Sequence, residues 1–182
     1  MAAQVVLLRG INLGPQRRIA MPALREALTG AGFTGVRTYV QSGNVVLGAG
    51  STGEALGAEV AALILERFGL EVPVLTRTAA ELARVVERNP FPEAADDPKR
   101  YQVAFLGEEL EPELVERLSA TASAQESFAA IGRELYAWHA VGVARSKLWN
   151  AIAGWRLGTT VTARNWTTVT TLLEMANETD AD

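Results

Sequence analysis

Along the first half of the chain the spacing of apolar residues changes in a fixed order. Residues 5–8 (Val-Val-Leu-Leu) are an unbroken apolar run ahead of a loop at 10–18 containing Gly, Asn and Pro, the pattern of a short strand buried on both faces. Met21, Leu24 and Leu28 recur at helical spacing, with Pro22 suited to a first turn and Gly30 and Gly32 able to end it. Two segments rich in β-branched residues, 36–40 and 44–47, flank Ser42 and Gly43 and predict a hairpin whose turn needs positive φ at Gly43. Ser51 with Glu54 reads as a capping box, and Leu56, Val60, Leu63, Ile64 and Phe68 make one apolar helical face ended by Gly69. Residues 72–75 are extended but hold Pro73, which cannot donate to a ladder and belongs on a sheet edge.

This order is that of a split βαββαβ unit, whose spatial order 4-1-3-2 makes the fourth strand an edge and the first central. Thr78 with Glu81 caps a linking helix carrying Leu82, Val85 and Val86, stopped by Asn89, Pro90 and Pro92, and 93–99 is a polar loop. The pattern then restarts. A strand is expected at 101–106, a helix at 112–118, a hairpin at 127–139 turning at Gly132, a short helix capped by Ser146, and a last strand at 159–162. A terminal helix starts near Asn165 with Trp166, Val169, Leu172, Leu173 and Ala176 on one side, and the acidic end beyond it is expected to fray. The predicted class is α+β: two ferredoxin-like (βαββαβ) subdomains with largely antiparallel sheets, at 1–77 and 100–182, the second including the C-terminal helix. Residues 78–99 form the linking helix and polar loop. The halves share an order of elements and no identity that would prove duplication.

Composition narrows the chemistry. The 182 residues are 48% hydrophobic and 21% charged, as in a chain that folds unaided. With no cysteine there is no disulfide, thiolate nucleophile or thiolate metal site, which fits a reducing compartment. The 5–8 run is too short for a leader or a membrane span, so a cytoplasmic location and no membrane partner are expected. A net charge of −4 disfavours nucleic acid as the main partner. His139 is the only histidine, which excludes a multi-histidine metal site or triad. No metal is therefore expected, and neither a phosphate-binding loop nor a Gly-x-Gly-x-x-Gly turn calls for a nucleotide cofactor. Ser42 is no nucleophile elbow, since Val40 stands where that turn needs glycine and a strand follows. Glu108, Glu109, Glu111, Glu113 and Glu116 flank a helix start, where negative charge is favourable, and read as a solvated face.

Three segments carry a resemblance: Leu7-Leu8-Arg9-Gly10-Ile11-Asn12-Leu13-Gly14, Thr38-Tyr39-Val40-Gln41-Ser42-Gly43-Asn44-Val45-Val46, and Thr162-Ala163-Arg164-Asn165-Trp166-Thr167-Thr168-Val169. With Asn89-Pro90-Phe91 and Ser146-Lys147-Leu148, they make the chain similar to the bacterial family catalogued as domain of unknown function 1697. The resemblance implies two ferredoxin-like subdomains and brings no activity or catalytic assignment. Pro15 follows Gly14 where the family has another glycine.

Topology supplies the candidate site. In such a unit the exit of the first strand and the hairpin between the second and third lie on one rim, so Arg9 and Asn12 are expected beside Gln41, Ser42 and Asn44. Gly10, Gly14 and Gly43 would keep backbone amides open, and Arg17 and Arg18 stand near a helix start. The expected ligand is a small polar or anionic molecule. The competing reading is a tight turn, with Arg9 satisfying backbone carbonyls. Arg164 joins the set because a guanidinium at a helix start gains nothing from the dipole. Two further readings are a single-stranded nucleic-acid module using Tyr101, Phe105, Tyr136 and Trp138, and an interaction module anchored by Trp149 and Trp155. The sequence assigns no catalytic residue and no oligomeric state.

Overall fold

A computed structural model of the chain describes residues 1–154 and 156–181 and contains, among those residues, eight strands and six α-helices. Trp155, one of the proposed interface anchors, lies outside the described residues. The chain divides into two units: Met1–Arg84 with everything from Thr170 onward, and Val85–Val169.

In the first unit β1 (Ala2–Leu8), β2 (Thr34–Tyr39), β3 (Asn44–Ala49) and β4 (Val74–Thr78) form an antiparallel sheet in the order β2-β3-β1-β4. β1 is central and β4 is an edge, as the sequence requires. Val6, Leu8, Val45 and Leu47 pack with Leu24 and Leu28 of α1 (Met21–Gly30) and with Leu56, Val60 and Ile64 of α2 (Gly53–Phe68). Val5, Leu7 and Val46 alternate to the opposite face and are also fully buried, which explains the unbroken apolar run. On that face Arg37 of β2 donates to Glu178 at 2.7 Å, to Thr179 at 2.6 Å and to the Met175 carbonyl, all on α6 (Trp166–Ala181).

In the second unit β5 (Tyr101–Leu106), β6 (Glu126–Ile131), β7 (Glu134–His139) and β8 (Val161–Asn165) pair antiparallel in the order β6-β7-β5-β8. Ala104, Leu106, Leu135 and Ala137 pack with Leu118 of α4 (Pro112–Ser119) and with Leu148 and Ile152 of α5 (Lys147–Gly154). On the other face Tyr101, Val103, Phe105 and Tyr136 are buried, and Trp166 stacks on Tyr101 at 4.9 Å. The Tyr136 hydroxyl donates to the Val85 carbonyl of α3 (Ala79–Glu87) at 2.9 Å.

Several elements differ from expectation. The Ser51–Glu54 box does not form: α2 begins after Thr52 without a side-chain cap, and the Ser51 hydroxyl bonds Glu59 instead. The Thr78–Glu81 box does form, with bonds of 2.8 and 3.1 Å. β4 starts one residue after Pro73, because the ladder with β1 begins where an N–H is present. β8 runs to Asn165, so Arg164 lies in a strand rather than opening the terminal helix, and Asn165 caps that helix through the Thr168 N–H at 2.9 Å. The acidic end is helical through Ala181, where fraying was expected, and Glu178 is held by Arg37.

His139, Glu126 and Ser146 tie the second hairpin to α5. His139 Nδ1 lies 2.7 Å from Glu126 Oε1, with the side chains 0% and 3% exposed, and the Ser146 hydroxyl caps α5 by accepting from the Trp149 N–H. Burial alone would raise the Glu126 carboxyl. Hydrogen bonds from the Ser123 backbone, the Ser146 hydroxyl, His139 and the Ser123 side chain outweigh it and bring it from 4.5 to about 2. A folded-state value below the unfolded one stabilises above pH 4.5, and that contribution is lost as pH falls towards 2. Glu126→Gln is expected to cost about 2 kcal/mol at pH 6 in urea unfolding, the gap to wild type narrowing towards pH 3. A pH-independent gap would remove the carboxylate from this role. Gln4, fully buried, has no hydrogen-bond partner for either amide atom among the described residues. Gln4→Met, of similar shape, is therefore expected to stabilise by about 1–3 kcal/mol, and a lowered urea midpoint would show that the amide is satisfied in solution.

Candidate functional site

The first-strand exit and the β2–β3 bend are joined by hydrogen bonds. The Leu8 N–H donates to the Gly43 carbonyl at 2.8 Å, and Asn12 Nδ2 donates to the Gln41 carbonyl at 2.8 Å. Antiparallel pairing of β3 with both β1 and β2 makes those two strands run the same way, which puts both segments on one rim. Gly43 has φ +76°, and a Cβ there would stand 2.7 Å from Leu8 Cβ and 3.0 Å from Ile11 Cδ1. Only glycine allows the bend to lie this close on the loop. The expected two-residue turn is a four-residue bend, 40–43, because Val40 leaves the strand with φ +50°. A β-branched residue in that conformation costs about 1–3 kcal/mol and persists only where its surroundings impose it.

The polar residues divide into two groups. Asn12 is consumed internally: Nδ2 also donates to the Ile19 carbonyl at 3.0 Å, and Oδ1 accepts from the Ile19 N–H at 2.9 Å. Asn44 is fully buried and donates to the Tyr39 carbonyl at 3.1 Å and to the Ser42 hydroxyl at 3.0 Å. These three side chains, Asn12, Ser42 and Asn44, build the junction. Arg9 and Gln41 are exposed, and their side chains make no hydrogen bond or ion pair among the described residues. The Arg9 N–H donates to the Pro73 carbonyl at 3.0 Å, which fixes its backbone while leaving the guanidinium outside. Arg17 reaches the Glu71 carbonyl at 2.7 Å and borders a groove of about 430 Å³ with Leu65 and Pro73. Arg18 is exposed and makes no such bond among the described residues, and Leu13 at the loop tip is 85% exposed.

Charge is unevenly spread. Residues 1–53 hold five arginines, at 9, 17, 18, 25 and 37, against the single carboxylate Glu26, in a chain whose net charge is −4. A count by segment reveals this local excess, which the whole-chain charge conceals.

Arg164 belongs to the second unit. It is 9% exposed on β8 opposite Val103, and its guanidinium donates to the Thr162 hydroxyl at 2.8 Å and the Ala163 carbonyl at 2.7 Å. Burial lowers its pKa from 12.5 to about 10. The aromatic residues considered for base stacking are mostly enclosed. Tyr101, Phe105 and Tyr136 are buried, and the Tyr101 hydroxyl donates to Asn89 at 2.6 Å. Burial raises both tyrosine pKa values, with the Tyr136 charge adding for Tyr101 and the Glu134 charge for Tyr136. Trp149 is part-buried against the core and sits edge-on to His139 at 5.5 Å. Among the described residues there is no group of three or more His, Asp or Glu side chains able to hold a metal ion, and no helix long and apolar enough to cross a membrane.

Comparison with known proteins adds a fold and a family. A solved structure described as that of the conserved bacterial protein SP0830 from Streptococcus pneumoniae is similar, with a TM-score of 0.77 over 96% of this chain and 98% of that one. At 18% identity the likeness concerns the fold. No curated protein matches the chain. The model of the family described as Protein of unknown function (DUF1697) matches residues 1–136, three quarters of the sequence, and the chain belongs to that family.

Proposed function

We propose that the protein binds a small anionic ligand at the first rim, with Arg9 and Gln41 as its contacts and Asn12, Ser42 and Asn44 as their scaffold. The observation that carries this reading is the contrast within one junction: every side-chain amide atom assigned to Asn12 is used in holding the bend, while Arg9 and Gln41 are presented outward. The backbone N–H groups of Leu13, Gly14 and Gln16 carry no hydrogen bond among the described residues, and with Arg18 they offer further donors to an anion. In this reading each half is a ferredoxin-like subdomain, supported by the antiparallel order 2-3-1-4 repeated in both sheets. The cysteine-free composition suits a reducing cytoplasm.

Inorganic phosphate and pyrophosphate, compared with sodium chloride at equal ionic strength, test the proposal by thermal shift. A bound anion raises Tm in the wild type through mass action, and Arg9→Ala or Gln41→Ala should stay folded and lose that rise. Equal rises in wild type and both variants would end the proposal.

The scaffold residues should behave differently. Asn12→Ala is expected to cost about 2–3 kcal/mol through lost hydrogen bonds, and Gly43→Ala a similar amount through overpacking and strained φ. Urea unfolding without any ligand reads both, and wild-type midpoints would show that the junction is not built as described.

A further inference from the structure

Pro90 and Phe91 of the Asn89-Pro90-Phe91 segment, left unused by the rim, form one wall of a cavity of about 490 Å³ in the second unit. That volume lies in the range of ligand pockets. Phe91 and Trp138 line it with Pro90 and Pro92, and its polar lining comes from Ser127 and Glu93. The wall is preorganised. Asn89 Oδ1 accepts from the Phe91 N–H at 2.9 Å and from the Tyr101 hydroxyl at 2.6 Å, and the Phe91 ring meets Tyr101 edge-on at 6.3 Å. Tyr101 in turn stacks on Trp166.

Two features of this cavity agree on one kind of occupant. Among the described residues its lining holds the carboxylate of Glu93 and no cationic side chain, and exposed Asp96 follows in the same short 3-10 segment, Pro92–Asp96. Two aromatic rings beside a carboxylate suit a cation, which is drawn to ring faces as well as to the charge. Ser127 lies on β6, an edge of its sheet, directly opposite Trp138 in the register. Residues 127–131 (Ser-Phe-Ala-Ala-Ile) hold no charge and no proline to blunt that edge. An extended chain pairing with β6 would set alternate side chains on the Ser127 face, beside the cavity.

We infer that this cavity and the β6 edge together bind an extended peptide segment bearing an arginine or lysine, its cationic side chain between Phe91 and Trp138 and near Glu93. The segment adds to β6 through its main chain.

The test uses the full chain at 150 mM salt and a fluorescein-labelled, capped pentapeptide Val-Thr-Arg-Thr-Val, with norleucine and glutamate versions of the central residue. Fluorescence anisotropy should show saturable binding of the arginine peptide, about tenfold weaker binding of the norleucine peptide and weaker still for glutamate. Glu93→Gln, a surface change that leaves the fold alone, should weaken the arginine peptide by about fivefold and leave the norleucine peptide unchanged. Trp138→Leu keeps an apolar side chain but removes the ring face, and should weaken the arginine peptide more than the norleucine peptide. The inference is overturned by absence of saturable binding at millimolar peptide, by equal affinity for all three peptides, or by affinities that neither variant changes.

Discussion

Each sheet is organised around a central strand that must be buried on both faces. β1 alternates Val6 and Leu8 towards α1 and α2 with Val5 and Leu7 towards the opposite side, and all four are essentially inaccessible. Burying four such side chains stabilises by about 6–12 kcal/mol before the entropy of ordering is set against it. The demand shapes the surroundings. Helices cover one face, and the other acquires features foreign to a bare sheet: Arg37 fastened to the last turns of α6, and a fully buried Arg77 donating to the Thr76 carbonyl. The rim depends on the same constraint. Leu8 ends β1 with its N–H on the Gly43 carbonyl, so the loop after it starts from a fixed point.

Much of this was legible from the chain because the signals are local. The apolar run of β1, the proline before β4, the Thr78–Glu81 box and the glycine at Gly132 each act within a few residues, and each is where the pattern puts it. Failures arise where a distant partner decides. Ser51 has the spacing for a capping box, but Glu59, five residues beyond Glu54, takes its hydroxyl. The acidic end looks solvated in isolation, and Arg37, 141 residues away, holds Glu178.

The candidate site shows the same division more sharply. Adjacency of the two polar segments follows from strand direction alone and could be read without coordinates. The role of each side chain could not, because Asn12, Asn44, Gln41 and Ser42 are chemically alike in a sequence. Asn12 has φ +56°, a conformation that asparagine tolerates, and it spends its amide on Ile19 and Gln41. Polar residues clustered at a bend thus point first to the bend, and only those with unused groups point to a ligand.

The register also exposes an internal equivalence that the sequence concealed. Gln4 and Gln102, Val5 and Val103, Leu8 and Leu106, and Arg77 and Arg164 occupy matching ladder positions, each arginine directly opposite the central valine. So few identities, spread over strands of unrelated neighbours, fall below what inspection can detect. The differences at matching positions are more informative. Arg9 corresponds to Gly107, and Gly43, which no side chain could replace, corresponds to Arg133, since Leu106 bonds the Arg133 carbonyl as Leu8 bonds that of Gly43. The second half therefore lacks the packed junction of the first, and its arginine stands on the bend, at Arg133, rather than on the strand exit. Conversely, Trp138 and Ser127 correspond to Gly48 and Thr34, where a Cβ on Gly48 would lie 2.4 Å from the Thr34 hydroxyl. No indole fits there, so an aromatic cavity at that position can form in the second half alone. One topology has thus been furnished twice, with a cationic rim on one sheet and an aromatic, acid-edged recess on the other.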